Sequence, residues 1–555
     1  MRFATLLSAV LLSATTAATA GKLGGKTARE RVEELRAKRF RGVREQGDSN
    51  LLERKANNAP LFLNANTTKF AVNGTAIPEV DFDVGESYAG SLPISNSPSE
   101  MSNLFFWFFP STNPAAKKEI VIWLNGGPGC SSLEGFIQEN GPISWQYGTY
   151  KPVSNPWSWH TLTNMVWIEQ PVGTGFSTGK VTATSEQDVA KQFLGFWKNF
   201  IDTFSMQGYK VYIAGESYAG LYCPYIANAM LDAKDSNYYN MSGVLMYSPV
   251  IAVEPLQGSI PIVPFVEYWK GLFPFNDRFR SQLHALDKKC GFSDYVNQYL
   301  VFPPKGNLPS RLPGTDASGR MLQECDQIFF TVYQAAAEIN PCFDYYQVAT
   351  TCPLLWDVLG FPGSFEYSPA GASVYFDRAD VKAAIHAPNI KWELCSSDPV
   401  FVGRHDSSAP SIISVLPSVV DRTKNVIIGH GNLDMVLMGN GTLLALQNMT
   451  WGGKLGFQRR PTDPFYVPYS NIGTPGTDAG AGVFGTTITE RGLTFMGINL
   501  AGHMVPQYAP SVAYRHVEFL LGRVNCLNCT VPFTTEKGIA PPQIRDLGFG
   551  TSSVP

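Results

Sequence analysis

The sequence predicts an α/β protein: a mostly parallel central sheet flanked by helices and interrupted by an inserted cap. Three observations carry the prediction. Short continuous apolar runs, MVWIE at 165–169 and VYIAG at 211–215, have the length of strands covered on both faces. Between them, Glu186 to Phe204 has helical spacing, with Val189, Phe193, Phe196 and Phe200 on one face. From 252 to 387 the strand and helix rhythm stops and prolines and four cysteines accumulate, and it resumes with NVIIGH at 425–430.

Taken in chain order, Arg2, the apolar run Ala4 to Ala14 and Ala18-Thr19-Ala20 before Gly21 have the layout of a secretory signal peptide over 1–20. Residues 21–56 are rich in Arg, Lys and Glu and carry the dibasic pair Lys38-Arg39, which suits a pro-segment or flexible arm. The core is expected over 57–251 and 388–530, the cap over 252–387 and a C-terminal tail over 531–555. Within the core, LFFWFF at 104–109 and EIVIWL at 119–124 are two strands joined by a proline-containing loop. In the cap, Gln282 to Lys288 is a helical piece. LTFMGI at 493–498 supplies a late strand, and a helix from Ser511 to Leu521 closes the core.

A chain of 555 residues that is 44% hydrophobic buries a large core without help from metals or partners. Its net charge of -3, with both signs mixed, offers no field for nucleic acid or anionic membranes. After the leader no stretch reaches the roughly 18 apolar residues of a membrane span, and the Gly, Ser and Pro-rich end carries no lipid-anchor signal. Nine cysteines suit an oxidising compartment, and the sequons at Asn66, Asn73, Asn240, Asn440 and Asn448 agree with secretion. A sixth, at Asn528, lies between two cysteines. No cofactor or metal is expected: GAGVFG at 480–485 mimics a dinucleotide fingerprint but neither follows a strand nor opens a helix, and no metal-ligand spacing is present.

The hexapeptide GESYAG occurs twice, offering Ser87 and Ser217. A nucleophile elbow needs a strand, a sharp turn with small flanking residues, and a helix directly beyond. Ser217 has all three: VYIA before it, Gly215 and Ala219 around it, and LYCPYIANAMLDA after it, with an early kink expected at Pro224. Ser87 is followed by SLPISNSPSE, which cannot carry a helix. The glycine loop WLNGGPGCSS at 123–132 lies after Ser87 and before Ser217, the order required when that loop builds part of an oxyanion hole. Ser217 is therefore the expected nucleophile, and the fold an α/β-hydrolase fold.

WLNGGPGCSSLEGFIQENGP, EQPVGTGFS at 169–177, GESYAG at 215–220 and GHMVP at 502–506 resemble the serine carboxypeptidase family, particularly its secreted fungal members. The resemblance runs from about Tyr88 to Leu521. A serine hydroxyl needs a base and the base needs an orienting carboxylate. Of the seven histidines, His160, His284, His386, His405, His430 and His516 suit structural or surface positions. His503, in a Gly-His loop after LTFMGINLAG, sits where the order Ser, Asp, His puts the base and matches the family's GHMVP. Asp434, after the strand NVIIG, takes the acid position, whereas Asp421 precedes that strand and would project from the wrong end of the sheet. The family's loop carries aspartate where this chain has Asn432. Oxyanion donors are expected from the backbone N–H of Gly127 and Tyr218.

The resemblance further implies that Asn125, the N–H of Gly126, Glu139 and Glu216 recognise a substrate's free carboxylate. Two glutamates suit an anion only if at least one is protonated, which implies an acidic working pH. It also implies a Cys130 to Cys395 bridge. Cys290, Cys325, Cys342 and Cys352 are expected to form two bridges within the cap, in a pairing that spacing leaves open, and Cys526 with Cys529 a local one. Cys223 is left over as a buried, inert thiol. The expected activity is release of single C-terminal amino acids from peptides and proteins through an acyl-enzyme. An acyltransferase or esterase on the same scaffold and a non-catalytic binding or protective protein are the alternatives.

Overall fold

The computed structural model describes residues 60–361, 364, 367–470 and 481–536. The expected leader, the arm over 21–56 and the end of the tail lie outside the described residues. Eleven strands form one sheet: β1 (Ala71–Val72), β2 (Ser87–Pro93), β3 (Asn103–Phe109), β4 (Glu119–Leu124), β5 (Asn164–Glu169), β6 (Lys210–Glu216), β7 (Asn240–Tyr247), β8 (Val426–Gly431), β9 (Asp463–Val467), β10 (Gly482–Glu490) and β11 (Leu493–Ile498). Their spatial order is β1-β2-β3-β5-β4-β6-β7-β8-β11-β10-β9. The six central strands, β5 to β11 in that order, are mutually parallel, and antiparallel strands extend both flanks.

Every residue of β4, β5, β8 and β11 is buried, as expected of parallel strands covered by helices on both faces. On one face lies α1 (Glu186–Phe204), whose start is set by Ser185 accepting from the Asp188 N–H and whose end is set by Ser205 in a left-handed cap. Its buried stripe of Val189, Phe193, Phe196, Phe200 and Phe204 meets β3 edge-on, Phe200 on Phe106 at 5.3 Å and Phe204 on Phe108 at 5.0 Å between centroids. The strands LFFWFF and EIVIWL are not sheet neighbours: β3 pairs with β5, which lies between it and β4.

The helix after Ser217, α2 (Ala219–Ala233), continues through Pro224. Proline has no N–H for the Gly220 carbonyl one turn back. The buried Ser411 hydroxyl donates to that carbonyl instead, at 2.7 Å. Between β7 and β8 the chain forms α3 (Asp277–Cys290) and α4 (Ile328–Ile339), whose buried residues join the same apolar cluster as α1 and α2. Val358, Tyr375, Phe376 and Val381 instead join Trp145, Phe176 and Trp392 in a second cluster. Disulfides join Cys130 to Cys395, Cys290 to Cys325, Cys342 to Cys352 and Cys526 to Cys529, and Cys223 is a buried free thiol whose titration burial pushes far up.

Parallel strands end on one side of a sheet, so the residues just after β4, β6, β8 and β11 share one rim. Those residues include Asn125, Ser217, Asp434 and His503.

Candidate active site

At the end of β6 the chain turns so sharply that Ser217 takes φ +61°, a left-handed conformation rare for a residue with a side chain. The turn is held by its own backbone: Ser217 N–H donates to the Tyr247 carbonyl at 3.0 Å, and the Ser217 carbonyl accepts from Val250 N–H at 2.8 Å and Gly220 N–H at 2.9 Å. Small neighbours are required for this. A Cβ on Gly215 would sit 2.4 Å from the Leu124 carbonyl oxygen, and one on Gly220 would sit 2.5 Å from that of Val250.

The glycine loop after β4 lies against this turn. A Cβ on Gly126 would be 2.5 Å from the Tyr218 nitrogen and 2.8 Å from Ser217 Cβ. Gly127 has φ +110°, and a Cβ there would meet the Cys130 nitrogen at 2.7 Å. The far side of the loop is clamped to a distant segment: Ser131 N–H donates to the Leu394 carbonyl, Ser396 N–H donates to that of Gly129, and Cys130 is bridged to Cys395.

His503 Nδ1 lies 2.9 Å from Asp434 Oδ2, with both residues buried. The other Asp434 oxygen accepts from Val436 N–H at 2.8 Å and Leu437 N–H at 3.2 Å. Asp434 so held orients the ring, with Nδ1 toward the carboxyl group and Nε2 on the far side. Nε2 is buried and has no hydrogen-bond partner. The ring is further seated edge-on against Tyr346, 5.1 Å between centroids, while His503 N–H donates to the Tyr346 carbonyl. His430 stacks on Phe495 in full burial, which lowers its titration to about 4. Asp421 sits on a helix, pairing with Lys424 at 3.0 Å on the surface. Ser87 lies in β2, where its buried oxygen accepts from Trp107 Nε1. Asn432 donates to the Asn499 side-chain oxygen at 2.8 Å.

Asn125 organises the other half of the site. Its Oδ1 accepts from Trp123 Nε1 at 2.7 Å and Gly135 N–H at 3.2 Å, so its amide nitrogen must face the opposite way. There it meets Glu216 Oε1 at 2.9 Å, Glu139 Oε1 at 3.4 Å and Glu134 Oε2 at 3.4 Å. Burial raises all three carboxyls: Glu139 to about 8, against hydrogen bonds to Glu216 and Asn125 that pull it down, and Glu216 and Glu134 well above the ordinary range, these two further raised by the charge of neighbouring carboxyls. Such groups stay protonated in acid and can donate hydrogen bonds to an anion. The Glu139 and Glu216 carboxyls also pair with each other, an arrangement in which Glu216 holds the proton.

Two of the groups here lie inside the quoted motifs but were given no role by them. Glu134 precedes the π-helical turn Gly135–Glu139, in which residues five apart stack. Its place beside Glu139 follows from that rare turn. Glu169, at the end of β5, accepts from the Ser131 hydroxyl, Phe176 N–H and, at 3.1 Å, Trp392 Nε1, and burial raises it to about 7. Among the described residues no three His, Cys, Asp or Glu side chains converge so as to hold a metal ion.

A family model described as serine carboxypeptidase matches residues 78–522. The chain belongs to the serine carboxypeptidase family. Among curated family relatives, it is similar to a probable serine carboxypeptidase of Arthroderma benhamiae, 56% identical over 84% of this chain and 88% of that protein. It is similar also to serine-type carboxypeptidase F of Aspergillus niger, 47% identical over 84% of this chain and 89% of that one. A prohormone-processing carboxypeptidase from Saccharomyces cerevisiae shares the fold at a TM-score of 0.64 and 23% identity, over 82% of this chain and 96% of that structure. The family's fold is the α/β-hydrolase arrangement described above.

Proposed function

We propose that the chain removes single amino acids from the C-termini of peptides and proteins in acid through an acyl-enzyme. The observation that carries this reading is the cluster of buried carboxyls on Asn125, set beside the Ser217 turn by Gly126. An endopeptidase or esterase has no use for a buried pocket that accepts an anion one residue from the nucleophile.

In this reading Ser217 Oγ attacks the last peptide carbonyl while His503 Nε2 takes its proton, and Asp434 stabilises the imidazolium. The N–H groups of Gly127 and Tyr218 receive the oxyanion. His503 passes the proton to the leaving amino nitrogen, the C–N bond breaks, and the free amino acid departs. Water then attacks the ester, gives its proton to His503, and the proton returns to Ser217 Oγ as the shortened peptide leaves. Asn125, the Gly126 N–H, Glu139 and Glu216 hold the terminal carboxylate until the amino acid departs. Binding that needs protonated carboxyls weakens as pH rises through their raised pKa values, about 8 for Glu139.

Secretion is part of the same proposal. Four disulfides fit an oxidising compartment, and no helix among the described residues is long and apolar enough to cross a membrane. The sequon residues Asn66, Asn73 and Asn440 are exposed, as glycan attachment requires. Residues 252–387, between β7 and β8, are proposed as the cap that walls the substrate pocket, and the arm over 21–56 as a removable pro-segment.

The test compares a blocked dipeptide with a free C-terminus and its amide from pH 4 to 9. The expected result is hydrolysis of the free acid only, with KM rising at alkaline pH and Ser217→Ala inactive. Equal hydrolysis of both peptides, or an active Ser217→Ala variant, overturns the reading.

A further inference from the structure

The two donors assigned to the oxyanion belong to separate parts of the chain, Gly127 to the loop after β4 and Tyr218 to the turn after β6. One segment, residues 394–411, is fastened to both parts. At its first end it grips the glycine loop: the Leu394 carbonyl accepts from Ser131 N–H at 2.7 Å, and Ser396 N–H donates to the Gly129 carbonyl at 2.9 Å. The Cys130 to Cys395 bridge lies between these bonds, and its Cys130 sulfur packs on Gly127, where a Cβ would stand 2.9 Å from it. A Cβ on Gly129 would likewise stand 2.9 Å from Val400.

The far end of the segment grips the start of α2. Tyr218 donates its hydroxyl to Asp406 Oδ2 at 2.7 Å, Tyr225 donates to the Ala409 carbonyl at 2.8 Å, and Ser411 donates to that of Gly220. Midway, the segment is pinned to the start of α1. Val402 N–H donates to the Ala183 carbonyl at 2.8 Å, Ser407 N–H donates to that of Thr184 at 3.0 Å, and Glu186 N–H donates to Ser408 Oγ at 2.6 Å. The half-buried Asp406 is itself oriented, because its Oδ1 accepts from Ser408 N–H at 2.9 Å. A hydroxyl given to a carboxylate makes a short bond, about twice as strong as a neutral pair.

We propose that Asp406 is a positioning residue for the oxyanion hole: by holding the Tyr218 hydroxyl it fixes the Tyr218 N–H, and its segment sets that N–H against the N–H of Gly127. The inference rests on the carboxypeptidase reading and its assignment of those two donors. Asp406 acts only through Tyr218. The carbonyl oxygen gains its charge when Ser217 attacks, so a displaced donor is felt in the transition state far more than in substrate binding. Loss of the tether therefore lowers kcat and leaves KM nearly unchanged.

The experiment compares the wild type, Tyr218→Phe, Asp406→Ala and the double variant, with active sites counted by a serine-directed phosphonate. It reads kcat and KM on an N-blocked dipeptide, and the affinity for an N-blocked amino aldehyde, whose adduct with Ser217 Oγ places an oxygen in the oxyanion hole. Tyr218→Phe keeps the backbone donor and removes only the tether. We expect each single variant to lower kcat about ten- to hundredfold and to weaken the aldehyde by a similar factor, with KM within about threefold of the wild type. The double variant should lose no more than the weaker single one, since both changes remove one contact. A kcat within about twofold of the wild type in either single variant, losses that multiply in the double variant, or a kcat loss with unchanged aldehyde affinity overturns the proposal. Should Asp406→Ala not fold, Tyr218→Phe decides by the same two measurements. Failure of the wild type to release any amino acid refutes the carboxypeptidase reading itself, whereas release with unaffected variants refutes only the role of Asp406.

Discussion

Asp434 Oδ2 lies 2.9 Å from His503 Nδ1, and the remaining oxygen of the same carboxylate is taken by two backbone N–H groups of its own loop. The acid is therefore oriented before the histidine arrives, and the histidine inherits its tautomer from it. Asp434→Asn keeps the shape but offers Nδ1 an amide that can donate, which favours the wrong tautomer. We expect kcat to fall by about 10⁴. Thermal unfolding followed alongside steady-state kinetics checks that the loss lies in catalysis rather than in folding.

Gly126 is held to zero side chain by the turn it touches. Gly126→Ala would place a methyl 2.5 Å from the Tyr218 nitrogen, so either the glycine loop or the nucleophile turn must move. Displacing one oxyanion donor costs about 10²–10³ in rate. We expect a kcat loss of that order with the phosphonate still labelling Ser217 slowly. An unchanged kcat would show that the two segments are not rigidly packed.

The buried carboxyls also make stability depend on pH. Glu139 and Glu169 are raised to about 8 and about 7, and Glu134, Glu216 and Glu186 well above the ordinary range. A carboxyl whose folded pKa exceeds its unfolded value binds its proton more tightly in the fold. Its contribution is complete below the unfolded pKa of about 4.3 and is lost as pH rises through the folded one. The melting temperature should be highest in mild acid and fall steadily between about pH 5 and pH 8. Calorimetry across that range checks the sign, and Glu139→Gln should flatten part of the slope.

Glu169 gathers donors from three separate segments: Ser131 of the glycine loop, Phe176 and Trp392. Glu169→Ala leaves all three unpaired in a fully buried place, at a cost of about 3–5 kcal/mol. Glu169→Gln retains one acceptor and should recover part of the loss. Denaturant unfolding of the two variants measures the difference, and a rate defect in Glu169→Gln with normal KM would place the effect on the oxyanion loop.

The sequence made some of this legible and hid the rest for physical reasons. The bounds of β4, β11 and α1 agree with the runs EIVIWL, LTFMGI and Glu186 to Phe204, because uninterrupted apolar segments and a capping serine are local signals. The choice of Ser217 over Ser87 rested on the helix beyond it, and the chain does make a left-handed turn at Ser217 ahead of α2 while Ser87 lies within a strand. The placement of β3 beside β5 is a long-range pairing that no local pattern encodes. Pro224 indicated a kink, but the side chain that lets the helix continue, Ser411, comes from nearly two hundred residues further on. Glu134 was hidden because its partnership with Glu139 depends on a turn of unusual pitch.

The clamp between the glycine loop and the segment around Cys395, and the late position of His503, have a consequence for biosynthesis. On the proposed roles, a chain is synthesised as far as Ser217 long before Cys395, which anchors the glycine loop, and His503, the base, have been made. A chain terminated before His503 should therefore have no peptidase activity, so that the enzyme becomes competent only once its last segment is in place.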